Sequence, residues 1–276
     1  MTETQRTSLL ADVQKLIDES GADTVGIAFR NLQSGDELFL QADAKMHPAS
    51  TIKMSVLAEV FRQAETGKLN LDDRLPIVNE FFSSLDGSPF ALSPNDDSDQ
   101  SLYPRIGESE TICELARLMI VRSGNLATNL LMDRVTPEAV NATMREIGAG
   151  DLYLRNRMMD MTAFSAGKTN GGTARALCHL LTLLGEGKLI SPQASEAMIA
   201  ILFRQEHKEC LPADLPPDVR IAHKTGSISD ICHDAGIIYP ADGRSPYVLV
   251  VMTRGIADEK KAEKLIAAIS KRFYDA

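Results

Sequence analysis

Apolar side chains at Leu9, Leu10, Val13, Leu16 and Ile17 recur at helical spacing, so residues 8–19 are expected to form a helix with one buried face. Ser20-Gly21 ends it, because glycine accepts the left-handed conformation at a helix C-terminus. Two short β-prone runs follow at 24–29 and 37–40, joined through 31–35, and read as a hairpin. From Pro48 to Leu202 the period turns helical. Segments 51–65, 111–121, 126–134, 137–147, 173–184 and 192–203 all carry i, i+3, i+4 apolar spacing. Ser191-Pro192 makes a good helix start, with serine capping and proline in the first turn. After the prolines at 212–217 the β character returns, in runs at 219–224, 234–239 and 247–252. A closing helix is expected at 258–273, with Ala262, Leu265, Ile266 and Ile269 on one face.

The order is helix, two strands, many helices, three strands, helix. Strands at both ends of a chain can join one antiparallel sheet, with the terminal helices covering a face. This predicts an α+β, two-lobed molecule: a sheet lobe from 1–45 and 206–276, and an all-helical lobe from 46–205. At 276 residues the chain is long enough to bury most of its apolar surface. Its 38 acidic and 29 basic residues leave a formal charge of -9, which repels phosphate backbones and argues against a general nucleic-acid partner. No apolar run approaches the roughly 18 residues that span a bilayer, so no membrane partner is expected. The opening MTETQRTSLLADVQKL has no basic region leading into an apolar core. The chain as it stands is therefore expected in the cytoplasm, or in the periplasm or outside the cell if a signal has been removed. Cys113, Cys178, Cys210 and Cys232 form no CxxC pair, and no disulfide framework is implied.

Candidate chemistry begins at Ser50-Thr51-Ile52-Lys53. Three residues along a helix bring Ser50 and Lys53 onto one face. A serine hydroxyl is a poor nucleophile until a base takes its proton, and a lysine whose pKa is depressed by burial can be that base. Alone, such a tetrapeptide is commonly just a helix start with an exposed lysine. Here Ser123-Gly124-Asn125 follows the helix at 111–121, and Lys224-Thr225-Gly226 ends a predicted strand.

Taken in this order, SxxK, SxN and KTG resemble the serine β-lactamase and penicillin-binding protein family, most nearly its class A branch. The resemblance covers nearly the whole chain. It implies the β-lactamase/transpeptidase-like fold, with a five-stranded antiparallel sheet flanked by the terminal helices, and an active site between the lobes. Ser50 would be the nucleophile, Lys53 would hold or shuttle its proton, and Ser123 would relay a proton to the leaving nitrogen. Asn125 would bond Lys53 and the substrate amide. Lys224 and Thr225 would meet a substrate carboxylate. Gly226 would let the substrate lie against the strand edge, and the N–H groups of Ser50 and Ser227 would form an oxyanion hole. Tyr103 matches an aromatic at the cleft edge, with packing as the other reading.

The pattern also departs from class A. That branch carries a loop glutamate that activates the deacylating water, and its place falls near Met158–Asp160 here. No glutamate lies between Asp151 and Gly185. Asp160 is the carboxylate available to act as base; the alternative is a structural part, pairing with Arg157 or capping the loop. Gly124 stands where class A has aspartate, and Ser227–Asp234 lacks the arginine that often meets the substrate carboxylate. Residues 95–99 read as a solvated acidic loop. Gly167-Lys168-Thr169 lacks the first glycine of a phosphate loop, and Cys232-His233 with His207 and Cys210 is too sparse for zinc. The methionines at 158, 159 and 161 read as loop packing, and His223 as a local contact. No metal or organic cofactor is implied. The expected protein is a monomeric serine hydrolase that opens a β-lactam through an acyl-enzyme. An esterase, a peptidase, a slowly deacylating penicillin-binding protein and a sensor that acylates once are the alternatives.

Overall fold

A computed structural model describes residues 2–276. Helix α1 (Glu3–Ser20) starts earlier than its apolar spacing predicts, because Thr2 and Gln5 cap it reciprocally, each side chain accepting the other's backbone N–H. Strands β1 (Thr24–Asn31) and β2 (Glu37–Leu40) form the expected hairpin. The helical region holds α2 (Lys53–Glu65), α3 (Ile112–Val121), α4 (Asn125–Val135), α5 (Pro137–Glu146), α6 (Met161–Ser165), α7 (Ala174–Gly185) and α8 (Pro192–Leu202). Short strands β3 (Arg74–Pro76), β4 (Phe81–Phe82), β5 (Pro89–Phe90) and β6 (Ser109–Thr111) pair as two small ribbons in the long connection between α2 and α3. These ribbons and α6 are too short to show a period, and the sequence gives no sign of them. The chain ends in β7 (Arg220–Ile228), β8 (Ile231–Tyr239), β9 (Tyr247–Arg254) and α9 (Glu259–Asp275).

The five long strands form one antiparallel sheet in the order β2-β1-β9-β8-β7. Its two faces are covered by different partners. Val25, Ile27, Phe29, Leu249 and Val251 pack with Leu9 and Val13 of α1 and with Leu265, Ile266, Ile269 and Phe273 of α9. The alternate residues Ala28, Val248, Val250 and Met252 join the larger cluster built by the helices between. Burial on both faces explains why β9 reads as an unbroken apolar run rather than an alternating one. No helix among the described residues is long and apolar enough to cross a membrane.

Two expectations need correction. Lys224-Thr225-Gly226 lies inside β7 and does not end it; the strand runs on to Ile228 and turns through Ser229-Asp230 into β8. Residues 95–99 are not a wholly solvated loop either. Asp97 is 7% and Asp99 5% exposed, for reasons that belong to the site.

Candidate active site

Ser50 lies in a 3-10 turn (Ala49–Ile52) that runs straight into α2 at Lys53. In such a turn residues i and i+3 eclipse, so Ser50 and Lys53 share one face. Lys53 is fully buried. Its Nζ donates to the Ser123 carbonyl at 2.6 Å and to Asn125 Oδ1 at 2.8 Å, with Ser123 Oγ at 3.3 Å. Burial lowers its pKa to about 7, and the charge of Asp97 opposes that only in part. A neutral amine has two N–H donors and one lone pair. The two carbonyl oxygens take the donors, which leaves the lone pair for a hydroxyl proton.

Ser123 sits between two lysines. Its φ of 60° places it in the left-handed region at the turn joining α3 to α4. Lys224 Nζ reaches the same Oγ at 3.1 Å and donates to the Thr225 carbonyl at 2.8 Å. Lys224 is also fully buried, and burial first, then the charge of Lys53, push its pKa well below the usual lysine value. Two buried amines on one hydroxyl disfavour simultaneous protonation, so the site can hold and pass a proton.

Strand β7 closes the site from the sheet side as the outermost strand. A Cβ at Gly226 would stand 2.6 Å from the Ser50 nitrogen and 2.9 Å from the Thr51 nitrogen, so only glycine lets the strand cross the turn that holds Ser50. The Ile228–Ile231 pair closes the two-residue turn. The alternation of antiparallel pairing then turns the N–H and C=O groups of Thr225 and Ser227 away from β8, toward the open edge. The bond from Lys224 Nζ to the Thr225 carbonyl fits that direction.

Asp97 is the residue that sequence reasoning missed. Its Oδ1 accepts the Asn125 N–H at 2.8 Å and its Oδ2 the Leu126 N–H at 2.9 Å, so it caps α4 where unpaired donors and the helix dipole favour an anion. Tyr103 donates its hydroxyl to the same Oδ2 at 2.8 Å. A Cβ at Gly124 would lie 3.2 Å from Asp99 Cβ, a tight contact. A carboxylate borrowed from the preceding loop thus stands at the helix start, beside a glycine where class A has aspartate.

Asp160 is brought to the loop before α6, but not as a free base. It is 1% exposed. Ser83 Oγ at 2.8 Å and the Ala163 N–H at 3.1 Å donate to its Oδ1. The Ser84 N–H at 2.8 Å and Ser84 Oγ at 3.1 Å donate to its Oδ2. Burial raises its pKa, yet these four bonds outweigh burial and hold it below the usual carboxylate value. A weakly basic carboxylate with its lone pairs engaged is badly suited to activating water. These bonds make Asp160 a cap on α6 and a clamp on the β4–β5 ribbon, the structural alternative to a general base. Arg157 pairs with Asp133, Nε to Oδ1 at 2.7 Å, rather than with Asp160.

The backbone anchored against α4 is that of Met158. Asn129 Oδ1 accepts the Met158 N–H at 2.8 Å, and Asn129 Nδ2 donates to the Met158 carbonyl at 3.0 Å. Asn129 lies one helical turn beyond Asn125, so the loop is tied down on the face that holds Lys53. That i, i+4 spacing is visible in the sequence; what Asn129 grips is not.

The sequence profile of the β-lactamase enzyme family matches residues 8–276. The chain belongs to the β-lactamase enzyme family. The β-lactamase L2 of Stenotrophomonas maltophilia is 26% identical over 254 residues, covering 91% of this chain and 80% of that one. The structure of PBP-A is 30% identical with a TM-score of 0.82, over 98% of this chain and 95% of that one. A leucine-to-glutamate variant of PBP-A, also 30% identical with a TM-score of 0.82, is an acyl-enzyme complex with penicillin G. An ancestral class A β-lactamase shares the fold at a TM-score of 0.83 and 24% identity, over 97% of this chain and 99% of that one. Family membership makes this chain a β-lactamase-like serine hydrolase with the fold its motifs imply.

Proposed function

We propose that Ser50 opens the β-lactam ring as an acyl-enzyme and that hydrolysis of the resulting ester is the slow step. The single observation that carries the first half is the bonding of Lys53: buried, with a pKa of about 7, its N–H groups held by two carbonyl oxygens. Ser50 Oγ attacks the lactam carbonyl and its proton passes to Lys53 Nζ. The N–H groups of Ser50 and Ser227 receive the oxyanion. As the ring C–N bond breaks, Ser123 Oγ gives its proton to the leaving nitrogen and regains one from the adjoining lysines. Lys224 and Thr225 meet the substrate carboxylate, Asn125 its amide, and Tyr103 lines the cleft edge.

The second half rests on Asp160, whose four hydrogen bonds leave it poorly placed to aim a water. The same observation favours a second reading, a penicillin-binding protein whose adduct persists. Intact-protein mass spectrometry with benzylpenicillin tests the proposal, with Ser50→Ala as control and a chromogenic cephalosporin assay alongside. Because ring opening expels no fragment, the adduct carries the full mass of the penicillin. The proposal expects that adduct on the wild type, none on Ser50→Ala, and slow turnover. An adduct that never clears selects the second reading. Neither adduct nor turnover overturns the β-lactam reading.

A further inference from the structure

The residue before the nucleophile is held in an uncommon conformation by a histidine that the chemistry above does not use. Ala49 has a φ of 46°, the left-handed region that side chains bearing a Cβ rarely adopt. Its N–H donates to His47 Nδ1 at 3.0 Å. An amide can only donate, so Nδ1 must be unprotonated. The His47 carbonyl is held in turn: His233 Nε2 of β8 lies 2.9 Å from it. The buried His233 ring is fixed on its other side, where Nδ1 accepts the Thr253 N–H of β9 at 3.1 Å. The His47 ring also packs edge-on against Phe164, centroids 6.0 Å apart.

These contacts form one chain from the middle of the sheet, through two imidazoles, to the backbone that precedes Ser50. Gly226, the cross-strand partner of His233, lies against the Ser50 nitrogen. A small rotation at Ala49 would swing the Ser50 N–H and hydroxyl together, and misplacement of reacting groups by about 1 Å can cost on the order of 10²-fold in rate.

We propose that His47 is a positioning residue for acylation: its Nδ1, anchored through its carbonyl to His233, fixes Ala49 and thereby aims Ser50. This rests on Ser50 being the nucleophile. His47→Phe keeps the ring and its contact with Phe164 but removes the acceptor. His47→Asn restores an acceptor near Nδ1, because an asparagine side chain bonds the N–H two residues on. His47→Leu serves if the phenylalanine variant does not fold. The readout is the rate of Ser50 adduct formation with benzylpenicillin, split into its saturating value and its half-saturating concentration, with Tm measured beside it.

The expected result is a saturating rate lowered about 10²-fold in His47→Phe, a nearly unchanged half-saturating concentration, and recovery to within about 3-fold in His47→Asn. Wild-type acylation in His47→Phe, or equal losses in the phenylalanine and asparagine variants, would overturn the proposal. A wild type that forms no Ser50 adduct removes the nucleophile reading and this one with it. A normal wild type beside unaffected variants removes this one alone.

Discussion

Lys53 and Asp160 are both buried ionisable side chains, 0% and 1% exposed, and their surroundings drive them in opposite directions. Lys53 is given two neutral carbonyl acceptors, and its charged form loses more to burial than the charge of Asp97 restores. Asp160 is given four donors, and its charged form is favoured in spite of burial. The difference separates a group poised to accept a proton from one committed to holding the chain. Burial alone does not mark a catalytic residue. What marks it is burial with its reactive lone pair left over.

The largest expected effect falls on the poised side. Lys53→Met should lower the rate of Ser50 adduct formation by about 10³-fold, the scale of a general base, measured by time-resolved mass spectrometry with benzylpenicillin. Installing a carboxylate where the loop is anchored sharpens the comparison from the other side. Asn129 holds the Met158 backbone against α4, so Met158→Glu should shorten the adduct lifetime by about 10²-fold, read as decay of the adduct mass. A smaller effect follows from pH. Lys53 must be neutral to take the Ser50 proton, and its pKa of about 7 means that its base form grows as pH rises. The acylation rate should therefore climb about tenfold between pH 6 and pH 8 and flatten above that.

The smallest catalytic effect is expected at the clamp. Asp160→Ala strips the acceptor from buried donors and should cost about 3 kcal/mol, or a Tm drop of roughly 6–10 °C by calorimetry, with acylation of the folded protein within a few-fold of wild type. The pH sense follows from its lowered pKa. The folded protein binds the proton less readily than the unfolded chain, so the stabilisation is complete above the unfolded carboxylate pKa and fades as pH falls through the folded one.

Much of this arrangement is legible in the sequence, and the limits have physical causes. The long helices and the five-stranded sheet follow from periodicity, since each must hide a continuous apolar face. Ser50, Lys53, Ser123, Asn125 and Lys224 are legible because their motifs occur in order; the fold sets both lysines on the Ser123 hydroxyl and Asn125 on Lys53. Asp97 is hidden because a helix cap supplied from a distant loop leaves no local spacing; the acidic run around it looks solvated until α4 is seen resting on it. Asp160 misleads for the opposite reason. Its place in the sequence suits a base, and only the arrival of Ser83 and Ser84 from a ribbon nearly eighty residues away shows what it holds. Local propensity reads elements well and long-range polar pairing poorly.

The central claim is that acylation is fully equipped while deacylation lacks a free carboxylate. Its most direct test is the lifetime of the benzylpenicillin adduct on Ser50, followed by intact-protein mass spectrometry in the wild type and in Asp160→Asn side by side. The account predicts that the adduct forms quickly, clears slowly, and clears at the same rate in both proteins. A wild-type adduct that clears within seconds and becomes long-lived in Asp160→Asn would contradict it, because Asp160 would then be the base that its hydrogen bonds argue against.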